Sequence, residues 1–230
     1  MEGTGNMELY KTVRKEAEAT NIIEKSKFIA HVKPVSSKEE ADAFVADIKG
    51  RYKDATHNVP AMVVGDKFQI QWASDDGEPQ GTSGAPMVQM LVKEGITNVA
   101  IVVTRYFGGI KLGTGGLVRA YTGSAKLGLE AAGICSVREV TSLEVRTDYT
   151  YLAKLQNMAS DALNDDETLE DTCFVINDIK YTDKVSINVL TFPEKADKMI
   201  KLLANITSGT AEVLEQKIVL EKVWNKIKIN

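Results

Sequence analysis

The chain has 230 residues, which is long for one compact unit and predicts two domains of roughly 100 residues each. Its hydrophobic content of 43% and charged content of 26% are ordinary for a globular protein and exclude an intrinsically disordered chain. The net charge of -4 argues against a protein that coats nucleic acid with a uniformly basic surface, although it leaves room for a local positive field.

Membrane, secretion and redox signals are weak. No apolar run approaches the roughly 20 residues that cross a bilayer, and the N-terminus lacks the apolar block of a signal peptide, so we expect a cytoplasmic protein. Cys135 and Cys173 are the only cysteines and show no paired ligand spacing, which favours reduced packing residues over a zinc site. Met1 to Asn6 has the character of a loose extension before a second possible start at Met7.

The first quarter of the chain predicts a β-hairpin followed by a helix. Two strand-like segments, Glu18 to Glu24 and Phe28 to Val32, flank the polar turn Lys25-Ser26-Lys27. Ser36 or Ser37 then suits the N-cap of a helix whose apolar residues recur at helical spacing. These apolar residues are Ala41, Phe44, Val45 and Ile48, and Gly50 lies near the predicted helix end.

The next segments predict three strands, two helices and a glycine-rich loop. Strands are expected over Val59 to Val64, Phe68 to Trp72 and the β-branched run Ile96 to Thr104. One helix opens at Pro86 and extends to Gly95. A loop over Gly108 to Gly116 leads into a second helix, Leu117 to Ala132, which Gly133 ends.

From Val140 the predicted elements follow the order βαββαβ. They are strand Val140 to Arg146, helix Tyr151 to Leu163, strands Thr172 to Ile176 and Val185 to Phe192, helix Glu194 to Ile206 and strand Glu212 to Leu220. This order is typical of the ferredoxin-like plan, in which two βαβ halves interleave into one antiparallel sheet with helices on one face. We place the domain boundary near Val137 to Thr141 and expect the acidic stretch Asn164 to Asp171 to be a solvated loop.

The most unusual composition lies between Gly95 and Leu129. Seven of the 17 glycines fall between Gly108 and Gly128, and no Asp or Glu occurs from Gly95 to Leu129, whereas four cations do: Arg105, Lys111, Arg119 and Lys126. A glycine loop that runs into a helix presents free backbone N–H groups and the positive helix end, which suit phosphate or carboxylate. A structural crossover with solvated cations is the alternative. The dinucleotide and P-loop fingerprints do not occur in this stretch.

A second notable loop, from Asp75 to Gly84, places three carboxylates close together. Its sequence is Asp75-Asp76-Gly77-Glu78-Pro79-Gln80-Gly81-Thr82-Ser83-Gly84. The carboxylates could hold Mg²⁺ with water and a phosphate, or form salt bridges to Arg105 and Arg119, and the pattern favours pairing or turn formation. Ser83 lacks the G-x-S-x-G pattern of a nucleophile elbow, which argues against a serine hydrolase.

Imidazole chemistry is limited to His31 and His57, neither of which has a partner adjacent in sequence. His57 precedes a predicted strand and is available as a base, although a hydrogen-bonded structural role is the favoured interpretation. Two pairs of large residues are expected in packing roles. Met87 and Met90 have core spacing, and Trp72 and Trp224 are expected in the core or on a strand face.

Three motifs resemble those of the IMPACT/YigZ family. They are Asp75-Asp76-Gly77-Glu78-Pro79 with Gly81-Thr82, then Thr97-Asn98-Val99 with Val102 to Gly113, and Gly115 to Tyr121. Lys25-Ser26-Lys27-Phe28-Ile29 also resembles the family's early strand motif. The resemblance covers nearly everything after Met7 and extends to the bacterial two-domain layout.

The resemblance implies an α+β chain. It implies an N-terminal domain, residues 7–138, similar to domain 2 of ribosomal protein S five, and a C-terminal ferredoxin-like βαββαβ domain, residues 139–230, similar to the last domain of the translocation elongation factor. Eukaryotic relatives regulate translation initiation under amino-acid stress by competing for a protein activator, whereas bacterial relatives have no firmly assigned reaction. His57-Asn58-Val59 stands where the family often has His-x-Cys, which excludes a catalytic cysteine there.

We therefore expect a non-catalytic binding protein of translation or stress regulation that docks RNA phosphate or an acidic protein surface on the glycine-rich loop. The expected partner is RNA or a ribosome-associated protein. The expected contact residues are Arg105, Tyr106, Gly108, Gly109, Lys111, Gly113, Gly115, Gly116 and Arg119, together with His57, Asp75, Asp76, Glu78 and Thr82. No cofactor is expected, and Asp75 and Asp76 are the candidates should Mg²⁺ bind. Two alternatives stay open: an enzyme acting on a phosphorylated small molecule or nucleotide with Mg²⁺, and a C-terminal domain that presents a sheet face to a protein partner.

Overall fold

The computed structural model describes residues 8–160 and 174–223. Over these residues the chain is a mixed α/β protein with two sheets of antiparallel character and five α-helices. The described residues form two compact units, one of residues 10–136 and one of residues 8–9, 137–160 and 174–223. No helix in the described ranges is long and apolar enough to span a bilayer.

The elements up to residue 132 are six strands and three helices. In chain order they are β1 (Glu8–Val13), β2 (Ala17–Ile23), β3 (Ser26–Pro34), α1 (Lys38–Arg51), β4 (His57–Val64), β5 (Ile70–Ala73), α2 (Gly84–Lys93), β6 (Val99–Tyr106) and α3 (Gly113–Ala132). Five of the strands form one sheet in the order β2-β3-β6-β4-β5, with antiparallel neighbours throughout.

This sheet is buried on both faces because its strands alternate between two cores. Ile101 and Val103 of β6 pack with residues of α2 and α3, such as Leu91 and Leu129. The intervening residues of β6 pack on the other face with α1: Ala100 and Val102 contact the cluster of Ala41, Phe44, Val45 and Ile48. The predicted apolar central strand and the predicted apolar face of α1 are therefore confirmed.

The predicted starts of α3 and β6 are among the boundaries in this unit that are wrong. Helix α3 begins at Gly113, so Gly113 to Gly116 form its first turn and not a loop. The reason is packing: Leu112 and Leu117 bury against the core, and tertiary burial outweighs the poor helix propensity of glycine. Strand β6 begins at Val99 and not at Ile96, because Asn98 has a φ of 54° and its side-chain oxygen accepts a hydrogen bond from the Gly65 amide.

The predicted hairpin of β2 and β3 is confirmed, with Ala17–Ile23 paired antiparallel to Ser26–Val32. Its turn is shorter than predicted. Glu24 and Lys25 occupy it with φ values of 45° and 64°, so Ser26 belongs to β3, where its side chain is buried. Among the large residues, Met87 and Met90 are buried as predicted, while Trp72 lies on β5 with 43% of its surface exposed.

The second unit follows the predicted order of elements. They are β7 (Ile134–Thr147), α4 (Tyr149–Ser160), β8 (Val175–Tyr181), β9 (Val185–Thr191), α5 (Ala196–Ile206, preceded by the 3₁₀ turn Pro193–Lys195) and β10 (Glu212–Val223). In its sheet β9 pairs antiparallel with both β7 and β8, and β10 pairs with β7. One face carries a core formed with α4 and α5, including Leu143, Leu155 and Leu203.

Several expectations for the second unit fall outside the described residues. They concern the end of the predicted helix beyond Ser160, the acidic stretch Asn164 to Asp171, Cys173 and Trp224. Cys135 is buried in β7.

Candidate functional site

Three residues from neighbouring strands stand in one row across the first sheet. The strand register places His57 of β4 and Phe28 of β3 directly opposite Arg105 of β6. Side chains two residues along each strand, such as Val103 on β6, belong to the core beneath α2 and α3. Because strand residues two apart share a face, this row also points toward α2 and α3.

Arg105 is neutralised inside the protein. Its Nη1 lies 2.6 Å from Oε1 of Glu78, and the two side chains are only 6% and 4% exposed. The same Oε1 accepts a hydrogen bond of 2.7 Å from the hydroxyl of Tyr121 on α3. The guanidinium carbon lies 5.4 Å from the ring centroids of both Phe28 and Phe107. Burial, together with the hydrogen bond to Glu78, raises the pKa of Tyr121 far above its ordinary value, so its hydroxyl remains a donor.

His57 is held in one orientation by the main chain of the Asp75–Gly84 loop. Its Nδ1 lies 2.8 Å from the carbonyl oxygen of Asp76. Since a carbonyl only accepts, Nδ1 carries the proton in this contact. The other ring nitrogen, Nε2, lies 3.8 Å from Oε1 of Glu78. Gly77, with a φ of 88°, passes so close that a Cβ there would stand 3.4 Å from Nδ1.

The first carboxylate of the loop stabilises the loop itself. Asp75 accepts hydrogen bonds from the hydroxyl and amide of Ser83 and from the amides of Gly81 and Gly84. Burial acts to raise the pKa of Asp75, but these hydrogen bonds outweigh it and hold the pKa below its ordinary value. Thr82 donates its hydroxyl to the Pro79 carbonyl at 2.7 Å, within the same turn.

The second carboxylate, Asp76, pairs with Lys49 of α1 at 2.5 Å and accepts from the Asn58 amide at 2.6 Å. Within the described ranges, no group of three or more histidine, cysteine, aspartate or glutamate side chains is arranged to hold a metal ion. The loop therefore shows pairing and turn formation, which is one of the two interpretations that its sequence allowed.

A cleft of about 440 Å³ opens beside this network. Its lining combines polar groups with an apolar wall: Thr56, His57, Glu78, Arg105, Lys111, Gly113 and Thr114, with Pro79, Phe107, Leu112 and Leu117. The cleft reaches the start of the 20-residue helix α3, where Leu112 is the N-cap and makes no side-chain capping hydrogen bond. The first turn of α3 contains no acidic residue.

The start of α3 is consequently electropositive. The first amides of an α-helix have no acceptor within the helix, and the helix dipole adds partial positive charge there. Lys111 and Arg119 are exposed beside this turn, and a Cβ on Gly115 would meet Nη1 of Arg119 at 3.8 Å. Neither cation forms an ion pair with any carboxylate of the described residues.

The structure separates the residues that the sequence grouped together. Those that line the cleft are His57, Glu78, Arg105, Lys111 and Gly113, while Gly115, Gly116 and Arg119 belong to the adjoining start of α3. Tyr106 points to the opposite face of the sheet, with its hydroxyl 3.1 Å from Asp54. Gly109 is an exposed loop residue with a φ of 86°. Asp75, Asp76 and Thr82 build the neighbouring loop.

Gly108 has a packing role. A Cβ there would stand 2.1 Å from the carbonyl carbon and oxygen of Lys25, and its amide donates to the Ser26 hydroxyl at 3.1 Å. The turn between β2 and β3 therefore packs directly on bare backbone after β6. Only glycine allows so close an approach.

Sequence reasoning missed Tyr121, Phe107 and Ser26 as members of this site. Tyr121 follows Leu117 by one helical turn, which places its ring on the core-facing side of α3. A buried phenol needs a hydrogen-bond partner, and that requirement was the available signal. Ser26 and Phe107 join Arg105 only through strand register and the turn after β6, which the sequence does not show.

The fold and the cleft define a two-unit α+β protein with a cleft of mixed polar and apolar lining at the start of a glycine-rich helix. Residues 24–129 match the Impact N-terminal domain family. The chain is 37% identical over 220 residues to the IMPACT family member YvyE of Bacillus subtilis (strain 168), which covers 95% of this chain and 97% of that protein. It therefore belongs to the IMPACT family.

Further similarities agree with this assignment. IMPACT family member YigZ of Escherichia coli (strain K12) is 38% identical over 136 residues, covering 58% of this chain and 67% of that protein. A solved structure described as the crystal structure of an hypothetical protein superposes with a TM-score of 0.53 at 29% identity, covering 89% of this chain and 96% of that one.

Proposed function

We propose that the chain is a non-catalytic binding protein that docks RNA phosphate at the start of α3. One observation carries this proposal: a 20-residue helix begins without a side-chain cap or an acidic residue, beside the exposed cations Lys111 and Arg119. Free amides and a positive helix end form a ready anion site. The backbone at Gly113 faces open space, since a Cβ there would meet nothing within 4 Å, so a phosphate can approach it.

The sequence predicted that Arg105 contacts the bound anion, whereas in this proposal Arg105 supports the cleft. Its charge is matched by Glu78 within 2.6 Å, so it does not attract a phosphate as an unpaired cation would. It fixes the floor of the cleft instead, by tying β6 to the Asp75–Gly84 loop and, through Glu78, to Tyr121 of α3. Lys111 and Arg119 then supply the exposed positive charge.

RNA fits this surface better than an acidic protein does. Phe107 lines the cleft with 46% of its surface exposed, next to the apolar side chains of Pro79 and Leu112. An aromatic face beside a phosphate site suits an unstacked base, since base stacking on aromatic side chains is the usual partner of backbone charge in single-strand binding. A role in translation or stress regulation is the setting that the family resemblance implies.

The test compares two double charge reversals that change the net charge equally. Lys111→Glu with Arg119→Glu alters the proposed site, whereas Lys67→Glu with Lys93→Glu alters exposed lysines outside the cleft lining. Fluorescence anisotropy with a labelled single-stranded RNA should show a loss of affinity of about tenfold or more for the first variant, and under about threefold for the second. Equal losses, or no RNA binding by the wild type, would exclude the proposal.

An acidic protein surface is the competing ligand, and the same pair of variants addresses it. If the wild type captures acidic proteins but not RNA, and only the reversal of Lys111 and Arg119 abolishes that capture, the anion site is supported and its ligand is a protein. The RNA proposal is then wrong.

An enzyme acting on a phosphorylated small molecule or nucleotide is the second candidate, because His57 is fixed by the Asp76 carbonyl and faces a cleft with Glu78 in its wall. An oriented imidazole beside an anion site is a recurrent acid–base arrangement. A thermal-shift screen with nucleotides, with and without Mg²⁺, tests it. Stabilisation by several degrees identifies a ligand, and turnover of that ligand, measured as released phosphate and abolished in His57→Phe, favours the enzyme. Binding without turnover contradicts it.

A further inference from the structure

We infer that the cleft reads the ribose of a docked nucleotide, with Nε2 of His57 accepting a hydrogen bond from the 2′-hydroxyl, so that the site distinguishes RNA from DNA. This inference rests on the proposed phosphate docking, since the phosphate at α3 brings the sugar to the cleft. It adds the chemical class of the ligand, which phosphate contacts alone do not specify.

The hydrogen bonding of His57 defines what the cleft can recognise. With Nδ1 donating to the Asp76 carbonyl at 2.8 Å, Nε2 of the neutral ring is an acceptor. Nε2 lies 3.8 Å from Oε1 of Glu78, an oxygen that already accepts hydrogen bonds from Arg105 and Tyr121. The ring side chain is 19% exposed. Nε2 therefore presents an accessible lone pair that a ligand donor would satisfy.

The ligand that supplies such a donor next to a phosphate is a ribonucleotide. In RNA the 2′-hydroxyl is a donor close to the backbone phosphate, and DNA has no equivalent group. The phosphate-accepting end of α3, at Gly113 and Thr114, and the His57 ring line the same cleft. A hydroxyl between them satisfies Nε2 while its phosphate meets the helix amides.

The rest of the cleft fits a single nucleotide. Its volume of about 440 Å³ lies within the range of roughly 300 to 1,000 Å³ typical of small-ligand sites. Phe107 offers an exposed ring for a base.

The test uses three labelled oligonucleotides of one sequence, which differ only at the 2′ position: ribose, 2′-fluoro and deoxy. The 2′-fluoro sugar keeps an RNA-like pucker but has no hydroxyl donor. Fluorescence anisotropy with the wild-type full chain should show RNA bound about threefold to tenfold more tightly than both other forms. A difference of this size corresponds to the net contribution of one hydrogen bond. His57→Phe should lower the affinity for RNA to that for the 2′-fluoro form, and leave the 2′-fluoro affinity unchanged.

The outcomes separate this inference from the proposed function. Equal binding of all three oligonucleotides, weakened by reversal of Lys111 and Arg119, overturns the ribose inference and leaves phosphate docking intact. An equal loss for all three in His57→Phe overturns it as well, because the residue then acts only through the fold. Absence of binding to every oligonucleotide overturns both proposals. The wild-type comparison requires no variant, so it is decisive even if His57→Phe folds poorly.

Discussion

Nη1 of Arg105 lies 2.6 Å from Oε1 of Glu78, and both side chains are more than nine-tenths buried. A buried ion pair contributes little net stability when it is complete, but removing one partner leaves an uncompensated charge in the interior. Arg105 also links three elements, because Nη2 lies 3.4 Å from the Ser26 hydroxyl and Glu78 accepts from Tyr121. The pair therefore holds the floor of the cleft in place.

Glu78→Gln should lower the free energy of unfolding by about 3 kcal/mol, because it leaves the buried guanidinium of Arg105 without a charged partner. Glu130→Gln is the matched control, because Glu130 is exposed on α3 and its change should stay within about 0.5 kcal/mol. Urea denaturation followed by circular dichroism measures both. If the two variants lose the same free energy, the ion pair has no part in supporting the cleft.

The stability of the Asp75–Gly84 loop should depend on pH in the acid range. The pKa of Asp75 is lower in the folded protein than its ordinary value of 3.8, so its ionised form stabilises the fold above that pH and this stability is lost as the pH falls further. Asp75→Asn should therefore cost about 1 kcal/mol at pH 7. The difference from wild type should be steady above about pH 5 and should shrink as unfolding is measured at successively lower pH through 3.8 and below. A difference that is constant over this range would contradict the assigned role.

Two glycines near the site should respond oppositely to alanine. Gly108→Ala places a Cβ 2.1 Å from the Lys25 carbonyl and should destabilise the protein by about 2 kcal/mol or more. Gly123→Ala, in the interior of α3 with nothing within 4 Å of the added Cβ, should stabilise it by roughly 0.5–1 kcal/mol. Thermal unfolding of the two variants provides the comparison. If Gly108→Ala is as stable as the wild type, the turn between β2 and β3 does not pack closely on the backbone of Gly108.

The start of α3 should show a conflict between stability and binding. Thr114→Asp puts a carboxylate in the first turn and should stabilise the helix by about 0.3–1 kcal/mol through its dipole. The same carboxylate occupies and neutralises the proposed phosphate site, so RNA affinity should fall several-fold. Thr114→Asn, similar in size but uncharged, is the control and should retain most of the affinity. If Thr114→Asp binds RNA as tightly as Thr114→Asn, phosphate does not dock at this turn.

Local signals made much of the fold predictable. The start of α1 could be read from Ser37, whose hydroxyl accepts from the Glu40 amide at 3.2 Å, and its core face from the spacing of Ala41, Phe44 and Ile48. The start of α3 could not, because glycine propensity argues against a helix and only the packing of Leu112 and Leu117 on the sheet overrides it.

The candidate site was predictable in its residues more than in its geometry. The glycine-rich, acid-free stretch directed attention to Lys111 and Arg119, both of which are exposed in the structure. The neutralisation of Arg105 depends on Glu78, 27 residues earlier in the chain, and on a strand register that brings His57 beside it. Contacts of that range follow from the packed fold and leave no local pattern.

The central claim is that the free amides at the start of α3 contact phosphate. A titration of the ¹⁵N-labelled chain with a short single-stranded RNA, followed by amide chemical shifts, measures this contact residue by residue. The account predicts that Gly113, Thr114, Gly115 and Gly116 show the largest shifts and that Thr114→Asp removes them. Shifts that leave this turn unchanged while another surface responds would contradict it.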